Sequence, residues 1–315
     1  MSFCKNPFFG ILVNMKKLLT ILCLVLLSSY SYSEDVSWDQ LVKREGTTYQ
    51  VNSDQSFTGT SVEYYLDTII KDQLEERVLW KRTTYKDGVM DGLYESFYPN
   101  GQLRYRVNYK NGIKDGLKEL YYENGQLMSK TNHKDGKELN KITFTYYGNG
   151  QLKRRRNYKD GEKDGLSERF YENGQLWRTG NYKNGERDGL LEWLYENGQL
   201  EKMGNYKNGE RDGLWEDFHE NGQLERKGNV KNGESDGLWE WFYEDGQLRY
   251  RVNYKNGIKD GLKEFYYENG QLRFTENHKN GKWDGLWEYF HENGKIQNSI
   301  CYKEGNKKKR SYCED

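Results

Sequence analysis

Between residues 91 and 307 the chain alternates short runs of apolar and charged positions with glycine-bearing breaks, and the alternation returns every 24 residues. The segment 236–259, DGLWEWFYEDGQLRYRVNYKNGIK, shows the unit: two runs of seven to nine residues, each closed by Asn-Gly, Asp-Gly or a relative. Period-two alternation bounded by such dipeptides predicts β-strands joined by two-residue turns, because a type I′ turn needs positive φ at both central residues. A helical reading fails, since three glycines per unit are costly in helix interiors. Units begin at 91, 115, 140, 164, 188, 212, 236, 260 and 284, with one extra residue at Leu139. Two strands per unit predict about eighteen strands, on the order of 85 Å across at the usual strand spacing. A worn unit precedes them at 57–90, residues 34–56 read as a lead-in or cap, and 308–315 as a C-terminal tail. The fold class is therefore all-β, an elongated antiparallel sheet of tandem hairpins.

A two-residue turn fixes a register, and the side chains check it. With Asp245-Gly246 at the turn centre, Tyr243 faces Leu248, Trp241 faces Tyr250, Glu240 faces Arg251 and Trp239 faces Val252. The same rule sets Glu95 against Arg106, Glu119 against Lys130 and Glu216 against Lys227. Across the Asn256-Gly257 turn it sets Arg249 against Glu264. One face then carries a ladder of opposite charges with Leu238 and Phe242, and the other carries the rings. A one-residue slip would mix the two sets. Trp215 facing Gly228 reads as an aromatic covering a bare glycine.

Composition sharpens this picture. Only 34% of the 315 residues are hydrophobic, yet 27 Tyr, 12 Phe and 9 Trp supply contact area suited to pleated surfaces. Three of the 49 basic side chains lie in residues 1–33, leaving 46 against 49 acidic ones, so no general basic field draws nucleic acid. Met15-Lys16-Lys17, the apolar run Leu18–Leu27 and the small residues Ser31 and Ser33 have the order of an export signal ending before Glu34, with Met15 as an alternative start. The reading places the mature chain in a periplasm, at the cell surface or outside the cell. Removing the signal leaves Cys301 and Cys313, whose expected state in an oxidising compartment is a disulfide.

No catalytic, cofactor or metal constellation stands out from the repeat, and the expectation is a non-enzymatic protein. His219 and His291 fill a tyrosine slot, and His133 and His278 fill the slot of Tyr109. The glutamate recurring from Glu95 to Glu288 reads as a salt-bridge ladder rather than a Ca²⁺ row, because no clustered Asp loop accompanies it. Lys307 to Arg310 is a short basic run suited to weak peripheral contact with an anionic membrane, the simpler reading being a solvated end. The aromatic face is different. Trp215, Trp239, Trp241, Tyr243, Tyr254 and Trp287 recur at repeat spacing, so either the sheet curls and stacks them or a partner covers them. A protein is the first candidate partner, and a cell-wall glycan or surface polymer the second.

The string DGLWEWFYENGQL…YKNG, formed by the glycine, the aromatic pair and the Asn-Gly spacing, resembles the bacterial variant of the MORN repeat over 91–307. The resemblance implies tandem β-hairpins and a binding or scaffolding role, and carries over no catalytic residue. Proteins of that family are often labelled antitoxin components. An exported chain cannot neutralise a cytoplasmic toxin, so that label implies here only an immunity-like protein acting outside the inner membrane.

Overall fold

The computed structural model describes residues 35–65 and 78–313. The export signal read at 1–33 lies outside the described residues. Two compact units divide between Lys114 and Asp115, within the strand Ile113–Tyr121. In the first, Val36–Ser37 runs parallel to Gly59–Tyr64, which pairs antiparallel with Leu79–Lys86, then Val89–Phe97, then Leu103–Lys110. The lead-in read at 34–56 also holds a hairpin of its own, Leu41–Arg44 with Thr47–Gln50. The second unit is antiparallel from Leu127–Lys134 through Glu234–Phe242 and Leu248–Lys255 to Asn306–Lys308, consecutive strands pairing in chain order.

The two turns of a repeat are of different kinds. Asn256 and Gly257 both have positive φ, 48° and 75°, as a type I′ turn requires. At the other turn only Gly246 does, at 86°. There the Gly246 N–H donates to the Tyr243 carbonyl at 2.9 Å, and the Tyr243 N–H to the Gln247 carbonyl at 2.8 Å. This is a longer loop closed by a glycine bulge, and it corrects the expected pair Tyr243–Leu248: Phe242 faces Leu248 instead. Trp241–Tyr250, Glu240–Arg251 and Trp239–Val252 pair as the alternation predicts.

A second correction lies across the type I′ turn. Tyr254 faces Lys259 in the expected register, but beyond it Val252 faces Lys263 and Arg251 faces Glu264, a slip of two residues. The Asp260-Gly261 bulge, with Gly261 at φ 111°, absorbs the slip. Arg251, not Arg249, therefore meets Glu264, and the two side chains form an ion pair. An even slip leaves every side chain on its face, so the two-face pattern survives the wrong pairing. The bulge aspartate also braces a neighbouring turn, since Asp260 Oδ2 accepts from the Asn280 N–H at 2.9 Å, and Asp91 Oδ2 from the Asn111 N–H at 3.0 Å. Each of these bulges thus holds the turn twenty residues further on. The extra residue, Leu139, is accommodated by a bulge between Glu138 and Asn140 and is exposed.

The charged face carries its ladder, with Arg106–Glu95 at 2.9 Å, Lys130–Glu119 at 3.1 Å and Lys227–Glu240 at 3.2 Å. On the opposite face Leu191, Tyr206, Trp215, Val230, Trp239 and Val252 pack into one buried cluster, with Trp193, Trp241, Tyr250 and Tyr254 against it. This cluster is the core of the second unit, and it lies on one side of a single layer.

At the C-terminal end Cys301 is 1% exposed and is joined to Cys313, Cα to Cα 5.9 Å. The basic run read as a solvated end is exposed, and its backbone is part of the sheet end: Lys307 pairs with Tyr302 in a short strand, and Arg310 starts a turn of 3₁₀-helix ending at Cys313. Closing a loop of this length stabilises by about 2 to 3 kcal/mol in the chain-entropy picture. Reduction is therefore expected to fray the last strands, read as faster amide exchange in 296–308 with no change in strands four repeats away. Two free thiols in protein taken from its native compartment would contradict the bond.

Candidate functional site

The cross-strand pairs of the aromatic face can be read in rows. One row runs Ser167, Gly180, Leu191, Gly204, Trp215, Gly228, Trp239, Val252, Lys263. Bulky residues alternate with glycine, and the rings lie down on the glycines. A Cβ on Gly204 would fall 2.3 Å from the Trp215 ring, and one on Gly228 would fall 2.1 Å from Trp239. Each tryptophan thus covers the glycine of the preceding strand. This corrects the expected cover of Gly228 by Trp215, although those two do face each other in register. Where the row holds Val252 in place of glycine, the following strand supplies Lys263, a thinner chain.

Trp215 and Trp239 are consequently only 5% and 8% exposed. Trp287 is 8% exposed, packed with Trp283 and Tyr302 at ring separations of 4.5 and 4.9 Å. Of the two alternatives for the six rings, self-packing or cover by a partner, these three take the first: the chain's own glycines and rings leave them little surface. Tyr243 is also engaged. Its hydroxyl donates to the Tyr266 carbonyl at 3.1 Å, and Tyr171, Tyr195 and Tyr267 make the same bond 23 residues on. The Nε2 of His219, in that slot, lies 3.4 Å from the Phe242 carbonyl.

What remains is a groove of roughly 250 Å³ over the core cluster. Trp215, Trp239, Trp241 and Tyr254 line it, so four of the six predicted rings meet in one place, together with Arg211 and Asp217. Arg211 lies over the Trp215 ring at 4.3 Å, and Asp217 is held between Arg226 and, at 3.8 Å, Lys202. The Trp239 indole N–H donates to the Asn229 carbonyl at 3.0 Å, whereas the buried Trp215 Nε1 has no protein partner. Burial pushes the phenols of Tyr250 and Tyr254 up, so both stay neutral donors. The groove offers flat rings and guanidinium groups, a set suited to holding an aromatic or amphipathic segment.

A second row extends the expected pair Trp241–Tyr250 from the groove into a ladder whose further rings, Phe265, Phe274 and Tyr289, the sequence reading missed. Trp241 stacks on Tyr250 at 4.2 Å, and Phe265 on Phe274 at 5.0 Å. The signal was the partner of each ring across the next turn. It was hidden by the two-residue slip at Asp260-Gly261, which alone brings Tyr250 opposite Phe265.

A family model described as the MORN repeat variant matches nine segments: 90–111, 114–135, 139–160, 163–184, 187–208, 211–232, 235–256, 259–280 and 283–304. No curated protein matches the chain. Among solved structures, it is similar to a chain in the Photorhabdus luminescens Tc holotoxin pore, at 13% identity and a TM-score of 0.18, over 84% of this chain and 16% of that one. A crystal structure of TcdB2-TccC3-Cdc42 gives 13% identity and a TM-score of 0.16, over 74% and 18%. The chain spans less than a fifth of the length of either, and likenesses at these scores carry no argument.

Proposed function

We propose, from the premise that this chain belongs to the MORN repeat variant family, whose unit it repeats nine times, that it is an exported, non-enzymatic scaffold. It holds a protein partner in the groove over Trp215, Trp239, Trp241 and Tyr254. The observation that carries this reading is a groove floored by the buried Trp215 and Trp239 and edged by the half-buried Trp241 and Tyr254, with Arg211 and Asp217 at its side. Tryptophan, tyrosine and arginine dominate the energetics of protein interfaces, and a groove gives them a desolvated setting. Export is supported by the charged, apolar and small-residue order of 15–33 and by the Cys301–Cys313 bond, which belongs to oxidising compartments.

Trp241 is the ring to test, because it is only half-buried and its loss leaves Trp239 lying on Gly228 and bonded to the Asn229 carbonyl. A photo-crosslinking residue at 241 is expected to trap one partner protein in the producing cell, and the same residue at Leu238, exposed on the opposite face, to trap none. Trp241→Ser is expected to weaken capture by about 30-fold, the equivalent of a 2 kcal/mol hot spot. Equal crosslinking from both faces would sink the groove as the binding surface. Binding of purified wall polymer that depends on Trp241, with no crosslinked protein, would replace the protein partner by a glycan.

A further inference from the structure

The row that ends in the ring ladder begins with cations. Arg154 faces Arg169, Arg169 faces Arg178, and Arg178 faces Trp193. Arg156 lies two residues from Arg154 on the same face, opposite Ser167, and Lys163 and Arg187 stand opposite Tyr158 and Tyr182. Six cations thus share one half-buried patch. On the opposite face, by contrast, Arg155 is paired with Glu168. Among the described residues none of the six forms an ion pair with a carboxylate. The Nε of Arg154 is buried without a hydrogen-bond partner.

Like charges in adjacent register positions repel, and a sheet normally alternates them. Aromatic rings offset part of the cost here: Arg178 lies over Trp193 at 5.3 Å, Arg187 over Tyr206 at 5.0 Å, and Lys163 over Tyr182 at 5.0 Å. Part of the guanidinium edge is used within the sheet, where Arg178 donates to the Tyr182 hydroxyl at 3.3 Å and Arg187 to the Tyr206 hydroxyl at 2.8 Å. Neutral phenols leave the charges uncompensated, and the remaining N–H groups of the five arginines are those that grip a carboxylate. The local field agrees with the geometry. Burial would raise the Tyr182 phenol, yet Arg187 and the charges of Arg178 and Lys163 hold it below its ordinary value. Burial, then Arg156 and Arg169, also lower the Arg154 guanidinium.

We propose that the cluster of Arg154, Arg156, Lys163, Arg169, Arg178 and Arg187 is a docking site for an acidic protein segment that continues into the aromatic groove. The inference rests on the proposed function for the groove itself and adds the charge of the partner beside it. Continuity favours a polypeptide over a phosphate polymer. One cross-strand row passes from Arg154 through Trp193 and Arg226 to Trp241, and only a polypeptide presents carboxylates and apolar side chains side by side along one strand.

The test uses octaglutamate, which has nothing to place in the groove. It is expected to bind the full chain at low salt and to weaken as salt rises. The double substitution Arg169→Gln with Arg178→Gln is expected to cost roughly tenfold or more in affinity, while Lys183→Gln with Lys207→Gln, the same loss of two charges on the other face, leaves it unchanged. Neutralising two mutually repelling groups does not threaten the sheet, and retained circular dichroism checks that. Undiminished binding in the double variant, or none by the native chain, would overturn the site. Inorganic polyphosphate or phosphatidylserine vesicles that bind more tightly through the same arginines would overturn the acidic segment as its occupant. Trp241→Ser is expected to leave octaglutamate binding intact, so loss of the groove reading and loss of this one are separable.

Discussion

Replacing Gly228 with valine is expected to destabilise the strand Leu224–Lys231 by about 3 kcal/mol, near the top of the range for overpacking. Gly228 does not have positive φ, so the penalty is steric alone. The new Cβ would sit 2.1 to 2.4 Å from the Trp239 ring, and the ring cannot retreat without giving up its indole bond to Asn229 and its packing on Trp241. The repeat itself names the compensation. At the equivalent place Val252 is tolerated beside Lys263, whose flexible chain carries its ammonium toward Tyr250 and Phe274. Gly228→Val combined with Trp239→Lys is therefore expected to recover much of the loss, giving a favourable coupling in a double-mutant cycle. Amide exchange in 224–242 is the measurement, because a repeat array unfolds locally and one global midpoint would average the effect away. A pair of purely additive losses would show that the glycine is not held small by the ring.

Trp239→Ala is expected to cost about 3 to 5 kcal/mol, the usual range for truncating a buried ring to a methyl group. It uncovers Gly228, removes a neighbour of Trp241 at 5.8 Å and leaves the Asn229 carbonyl without its donor. Trp241→Ala at the edge of the cluster should cost under about 2 kcal/mol, since it loses partial burial and one stacked partner, Tyr250. The same two substitutions are expected to rank in the opposite order for partner capture once the fraction folded is allowed for. Urea titration followed by fluorescence, beside crosslinking yield, separates the two roles. If Trp239→Ala is as stable as the native chain, the rings of this face are not its core.

Much of the molecule was legible in the chain because a two-residue side-chain period and glycine turn signals act locally. The 24-residue unit, the two strands per unit, the pairs Trp239–Val252, Glu240–Arg251 and Glu95–Arg106, and the division into a charged and an aromatic face all follow from alternation counted outward from a turn. The single-residue insertion at Leu139 was visible too, and its effect is confined to a bulge. The cysteines could be paired on paper because only Cys301 and Cys313 lie beyond residue 33.

Three things were decided only by the tertiary structure. The Asp-Gly bulge shifts the register by an even number of residues, which alternation cannot detect because both registers put the same residues on the same face; Arg251 rather than Arg249 met Glu264 for that reason. The burial of Trp215, Trp239 and Trp287 depends on how large rings lie across neighbouring strands, and a glycine signals room for a ring without saying which ring takes it. The arginine patch and the ring ladder arise from stacking one register position across many strands, where residues about 15 apart in sequence, such as Arg154 and Arg169 or Tyr250 and Phe265, become neighbours through the bulges. The chain determined its strands and its faces because those are set by adjacent residues. Which side chains meet on a face was left to the sheet, because it depends on the sum of every turn and bulge between them.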